Sequence, residues 1–328
     1  MRRRQFLGLL GGAAASPFVR TCTALAQQAA MPVIGFINGQ RAAEFAHLVA
    51  AFHEGLNQSG YVEGRNVAVE YRWAEGKQDA MPALVADLLQ RQVTVLVHGG
   101  AVPTAAIAAT KTVPIVTTFG GDPVRLGFTT SINRPGANIT GASVFTTDLE
   151  AKRLELLREL LPGGTLTGVL RDPSFSEADT QLREIEAAAR TLGERISMRE
   201  ATNEGRIETA YASFAHMRVT ALLVAGSPFF NARRNLIVAL SARHAIPTMQ
   251  ETRESALAGG LISYGPNISD VYRKLGAYAA RVIGGEKPAD LPIQRPTKFD
   301  LVINLKTAKA LGVEVPTSIL LRADEVIE

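Results

Sequence analysis

The sequence predicts two open, doubly wound α/β lobes, and three observations carry that expectation. Short apolar runs alternate with amphipathic stretches along most of the chain, the pattern of βα units feeding parallel sheets. The 328 residues exceed what one hydrophobic core usually fills, since domains hold roughly 100 to 200 residues each. One stretch in each half also has the same order of strand, proline, helix and strand.

The first element is not part of the fold. Met1-Arg2-Arg3-Arg4-Gln5-Phe6-Leu7 is a basic head, the run from Gly8 to Ala15 is apolar, and Ala24-Leu25-Ala26 is a small-x-small cleavage site. Residues 1–26 therefore read as an export signal cleaved near Ala26, and Arg3-Arg4 followed by Gln5-Phe6-Leu7 resembles a twin-arginine signal. The apolar run falls well short of the roughly 20 residues that cross a bilayer, so no stable membrane insertion is expected after its removal. Four of the 35 Lys and Arg lie in this segment, and none of the 31 Asp and Glu. Beyond it the charges balance, which gives no electrostatic footprint for nucleic acid or anionic lipid. The single cysteine, Cys22, also lies there, leaving no disulfide, thiolate metal site or cysteine nucleophile downstream.

In the first lobe the expected strands are Val33–Ile37, Val67–Tyr71, Val93–Val97, Ile115–Thr118 and Ile139–Val144. In the second they are Leu166–Leu170, Ile196–Arg199, Ala221–Ala225, a short one near Pro247–Met249, and Leu261–Tyr264. Their continuous apolar character suits strands covered on both faces. Helices are expected over Phe45–Asn57, Ala80–Gln90, Leu149–Leu161 and Ala178–Leu192, the last with Leu182, Ile185, Ala189 and Leu192 on one face.

Val93–Gly100 aligns with Val219–Gly226, and each is followed by a proline, a helix-length stretch and then Val113-Pro114-Ile115 or Ile246-Pro247-Thr248. The second stretch is longer by about two helical turns, a change that preserves a buried face. Parallel sheets open a crevice beyond the carboxyl ends of their strands, so two lobes facing each other there would enclose one cleft.

Catalytic signatures are absent from the sequence: no phosphate-binding Gly-Lys-Ser/Thr loop, dinucleotide fingerprint, His-Glu-x-x-His or Gly-x-Ser-x-Gly elbow. No two of the five histidines have the helical spacing that pairs imidazoles on a metal. No cofactor, metal or catalytic residue is expected.

What the strand ends do carry is polar and aromatic side chains suited to a small polar ligand. In the first lobe these are Asn38, Gln40, Gly99, Gly100, Thr117 and Asp122; in the second, Asp172, Ser227, Phe229, Glu251 and Tyr264. Structural readings stand beside them. Asp122-Pro123 can cap and begin a turn, Phe229 and Phe230 can be core, and Glu251 can cap a helix begun by Thr252 and Arg253.

Several segments carry a family resemblance. They are Pro32-Val33-Ile34-Gly35-Phe36, Gly60-Tyr61-Val62-Glu63-Gly64-Arg65-Asn66-Val67, Gly121-Asp122-Pro123-Val124, Asn133-Arg134-Pro135-Gly136-Ala137-Asn138-Ile139-Thr140-Gly141, and the run from Gly284 to Pro292. The tail adds Val302–Ala308 and Ala323–Glu328. In these the chain resembles substrate-binding proteins of ABC-type importers, in the family with tryptophan- and tyrosine-binding members.

That resemblance implies two Rossmann-like lobes joined by crossing strands, the type I periplasmic-binding fold, with a small organic solute clamped between them, a membrane permease as partner, a periplasmic location and no enzymatic activity. It places lobe 1 at 32–143 plus about 265–297 and lobe 2 at 144–264 plus about 298–328. The crossings fall near Gly141–Thr147 and Gly260–Gly265. Asp122 matches the family's Asp-Pro turn and is expected to take a ligand amino group. Ala101-Val102-Pro103, where aromatic-amino-acid binders tend to have Ala-Thr-Pro, and Ser227-Pro228-Phe229-Phe230, in place of a more polar stretch, leave an amino acid and a less polar, aromatic solute both open. An exported enzyme and a sensory module remain the alternatives.

Overall fold

Apolar runs such as Ile34–Ile37 and Val95–Val97 have hydrophobic side chains on both faces of a strand, so they are stable only where helices cover both sides of a sheet. In the computed structural model, which describes residues 31–99, 103–144, 149–163, 165–175 and 177–328, all of these apolar side chains are buried. Residues 1–26, expected from the sequence to be an export signal, and Gly100 lie outside the described residues.

The first sheet is built from β1 (Val33–Asn38), α1 (Ala42–Gln58), β2 (Ala68–Trp73), α2 (Met81–Gln90), β3 (Val95–Gly99), α3 (Thr104–Ala109), β4 (Ile115–Phe119) and β5 (Ile139–Ser143). Its five strands run parallel in the order β2-β1-β3-β4-β5. Strand alternation splits the core in two: Phe36, Val95 and Val97 pack with α1 on one face, and Ile37, Leu96 and Ile115 with α2 and α3 on the other.

The second sheet begins with α4 (Glu150–Leu160), β6 (Thr167–Arg171), α5 (Ala178–Leu192), β7 (Ile196–Glu200), α6 (Glu204–His216), β8 (Ala221–Val224), α7 (Pro228–Ala232) and α8 (Arg234–Arg243). It continues with β9 (Thr248–Gln250), α9 (Arg253–Leu257) and β10 (Ile262–Pro266). Val169, Leu223 and Met249 face α4 and α5, while Leu170, Leu222 and Val224 face α6 and α8.

After β10 the chain leaves the second sheet. α10 (Ile268–Ile283) packs Val271, Leu275 and Ala279 into the core of the first sheet beside α1. The following segment returns along β5, where Ser143 N donates to Gln294 O at 2.7 Å and Gln294 N to Gly141 O at 2.9 Å. β11 (Phe299–Asn304), α11 (Leu305–Leu311), α12 (Thr317–Leu320) and β12 (Glu325–Ile327) then extend the second sheet to the order β12-β11-β10-β9-β8-β6-β7. Every pairing in it is parallel except β10 with β11. The fold is thus α/β, with two doubly wound lobes built around parallel sheets.

Two details depart from the sequence reading. The longer stretch after β8 is not one helix extended by two turns, because it breaks at Arg233 into α7 and α8. In addition α10, β11 and β12 are regular elements for which no helix or strand was predicted, although Val271, Leu275, Tyr278 and Val282 recur at helical spacing.

Candidate functional site

Thr118 and Gly120, at and just beyond the end of β4, and Gly226, Ser227 and Glu251, beyond β8 and β9, line one cavity of about 220 Å³. Its walls therefore come from the carboxyl edges of both sheets, where parallel α/β folds bind ligands. Phe45 and Leu48 of α1, Tyr272 and Ile268 of α10, Val144 and Phe175 make much of it apolar.

The polar part rests on a buried ion network. Glu150 and Arg153 are fully buried on the first turn of α4, with Arg153 Nη1 and Glu150 Oε1 at 2.8 Å. Arg153 also donates from Nε to Tyr264 O at 2.7 Å and reaches Glu251 Oε1 from Nη2 at 3.5 Å. Glu150 Oε1 further accepts from Gly226 N at 2.9 Å and Gln181 Nε2 at 3.1 Å. Gln181 Nε2 donates to Gly226 O at 2.6 Å, and Asn231 Nδ2 to Glu251 Oε2 at 2.8 Å. Two carboxylates and one guanidinium thus fix the wall from beneath. Burial pushes the Glu150 carboxyl above its ordinary range, opposed by the Arg153 charge.

Of the residues expected from the sequence, Ser227 and Glu251 line the cavity. Ser227 is also the N-cap of α7, accepting from Phe230 N at 3.1 Å. Asn38 and Gly99 lie one layer behind the wall. Asn38 Nδ2 donates to Tyr272 Oη at 3.3 Å, and a Cβ at Gly99 would stand 2.6 Å from that oxygen, so only glycine admits the ring. Burial raises the Tyr272 hydroxyl well above its ordinary value. Gln40 donates from its backbone N to Asn38 Oδ1 at 2.8 Å. Thr117 is fully buried and its hydroxyl donates within the sheet, to His98 O or Thr118 O; the neighbouring Thr118 is the wall residue.

The remaining described candidates are not on the wall. Asp122 Oδ1 accepts from Val124 N at 2.9 Å and caps its turn. Asp172 does the same for Ser174 N at 3.0 Å, thereby holding the turn that carries Phe175. Phe229 packs on Phe230 with ring centroids 5.3 Å apart, and the Arg233 guanidinium lies 4.3 Å above its ring. Tyr264 joins the ion network through its carbonyl while its ring packs on Phe299. Gly100 lies outside the described residues.

Sequence reading passed over Phe45, Phe175, Tyr272, Gln181, Arg153 and Arg234. All six lie on helices or their approaches, where a wall residue looks like any amphipathic-face residue. The first turns of α1, α4, α8 and α10 would have yielded Phe45, Arg153, Arg234 and Tyr272.

Known proteins share this architecture. A solved structure titled the ABC domain in complex with L-Trp, from Streptococcus pneumonia, superposes with TM-score 0.79 at 24% identity, covering 90% of this chain and 99% of that one. A conserved domain protein from Vibrio cholerae gives TM-score 0.79 at 23% identity with the same coverage. The fold the chain shares with them is the type I periplasmic-binding fold. In sequence, the chain is similar to the tyrosine-binding protein of Clostridioides difficile (strain R20291), 23% identical over 265 residues, 80% of this chain and 76% of that protein. No helix among the described residues is long and apolar enough to cross a membrane. The family described as ABC transporter substrate binding protein matches residues 32–327, and the chain belongs to that family.

Proposed function

We propose that this is an extracytoplasmic solute-binding protein that clamps a small organic ligand between two lobes and delivers it to an ABC-type permease. The observation that carries the reading is the cavity walled from the carboxyl edges of both sheets. The lobes are 32–143 with about 265–297 and 144–264 with about 298–328, closing about the segments that pass between the sheets. Ligand contacts from both sides favour the closed state, which is the form presented to the importer. Residues 1–26 direct export and are removed in the periplasm. Transport energy comes from the importer's ATPase, and we assign the chain no catalysis of its own.

Relatives named for tyrosine binding and solved with L-Trp make compact amino acids and aromatic acids the first ligands to try. A thermal-shift screen of the purified protein against amino acids, aromatic acids, purines and sugars tests the reading. A ligand at 100 times its dissociation constant adds about 2.7 kcal/mol, a rise of a few degrees in a chain of this size. The expected result is selective stabilisation by one chemical class, with the ligand recovered unchanged; a hit recovered chemically altered would move the protein to the enzymes.

A further inference from the structure

Charge bookkeeping around the cavity discriminates between ligand classes. Each carboxylate on the wall already has a nitrogen of the protein beside it, for Glu254 an imidazole that pairs with it when protonated. Glu251 has the Arg153 guanidinium at 3.5 Å and Asn231 Nδ2 at 2.8 Å, and Glu254 has His47 Nε2 at 3.5 Å. Arg234 is the reverse case. Its half-buried guanidinium lines the cavity, and its one hydrogen bond among the described residues runs from Nη1 to the Asn231 carbonyl at 3.3 Å. No carboxylate among the described residues lies within ion-pair distance of it.

A guanidinium has five donors arranged to grip a carboxylate through two oxygens. An ammonium brought into the same space would have to compete for carboxylates that are already engaged, and would face the Arg234 charge. Three aromatic side chains, Phe45, Phe175 and Tyr272, stand with Leu48, Val144 and Ile268 on the wall, beside the uncharged polar groups of Thr118, Gln181, Ser227, Asn231 and Thr252. The volume of about 220 Å³ is compact, given that a dry cavity of about 150 Å³ takes benzene. It has room for one ring with a short carboxylate arm.

Resting on the binding reading above, we propose that the cavity takes a compact aryl carboxylate without an α-ammonium group, and that Arg234 is the residue that selects it. Binding places the carboxylate on Arg234 and the ring among the aromatic side chains. The site thus differs in preference from the amino acids named for its relatives.

Isothermal titration with matched probes tests this: phenylacetate against phenylacetamide, and 3-phenylpropionate against L-phenylalanine and phenethylamine. The acids are expected to bind at least tenfold more tightly than their partners. Arg234→Gln is expected to weaken the acids on the order of a hundredfold with the unliganded melting temperature unchanged, and Arg234→Lys to restore part of that loss. Tighter binding of the amino acid, amide or amine overturns the inference and leaves the binding-protein reading standing. Arg234→Gln binding the acids as well as the parent overturns Arg234 as the selector. Silence toward all five probes overturns the inference, and the wider screen then decides the reading on which it rests.

Discussion

At the residue scale, the Glu150–Arg153–Glu251 cluster joins stability to the shape of the wall. Arg153 is fully buried and holds two carboxylates and the Tyr264 carbonyl. Removing one partner of a buried pair strands the other charge in a low-dielectric interior, which costs about 3–5 kcal/mol. Arg153→Met is therefore expected to lower the unfolding free energy by that amount, read from a denaturant titration. The pH dependence has a definite sign. Burial holds the Glu150 carboxyl above its ordinary value, so the folded state binds the proton more tightly than the unfolded chain. Its contribution to stability is full below the unfolded value of about 4.3 and is lost as pH rises through the folded one. The stability of Glu150→Gln relative to the parent is expected to increase as pH is raised above about 4.3, measured by urea melts; a flat difference would mean that the Arg153 charge cancels the effect of burial, and a decrease that it outweighs it.

At the element scale, α1 and α10 cross so closely that glycine is required on both. A Cβ at Gly276 would stand 2.1 Å from the Phe52 carbonyl oxygen, and one at Gly55 1.9 Å from the Arg273 carbonyl oxygen. In an open helix Gly→Ala adds stability through propensity, about 1 kcal/mol. Here backbone must shift, so Gly276→Ala is expected to destabilise by about 1–3 kcal/mol, a reversal of sign that a denaturant titration detects. The crossing matters for the site, because α1 carries Phe45 and Leu48 while α10 carries Tyr272. A second close approach lies in β5. Gly141 has φ of 149°, and its Cβ would fall 1.8 Å from the Thr117 carbonyl oxygen, which explains glycine in an otherwise side-chain-bearing strand.

At the scale of the whole molecule, ion pairs run between elements attached to different sheets. Arg125, beyond β4, places Nη1 2.5 Å from Glu177 Oε2 and 3.1 Å from Thr180 Oγ1 at the start of α5. His47 of α1 reaches Glu254 of α9 at 3.5 Å. These contacts join the cavity's two walls, and in the proposed hinge closure they would form as the lobes meet. Arg125→Ala is expected to raise the ligand dissociation rate several-fold and, because the buried Glu177 loses its charge partner, also to lower the melting temperature of the unliganded protein. Stopped-flow release of a bound ligand checks it, and an unchanged rate would show that closure does not depend on this pair.

Sequence by itself determined the α/β class, the ten strands from Val33 to Tyr264 and the edge at which a ligand would be sought. Those features follow from local periodicity and from the general geometry of parallel sheets, which any segment of chain expresses without its partners. It identified Ser227 and Glu251 on the wall because strand ends are recognisable one at a time. Only the tertiary structure decided that the segment returning to the first sheet does so as the helix α10 packed beside α1, that Asp172 caps a turn, and that Arg234 faces the cavity while Arg153 is buried beneath it. A side chain on a helix face is assigned to wall, core or solvent by what the other elements bring opposite it. That information lies in contacts between residues such as Arg153 and Tyr264, 111 positions apart, and no local pattern records it.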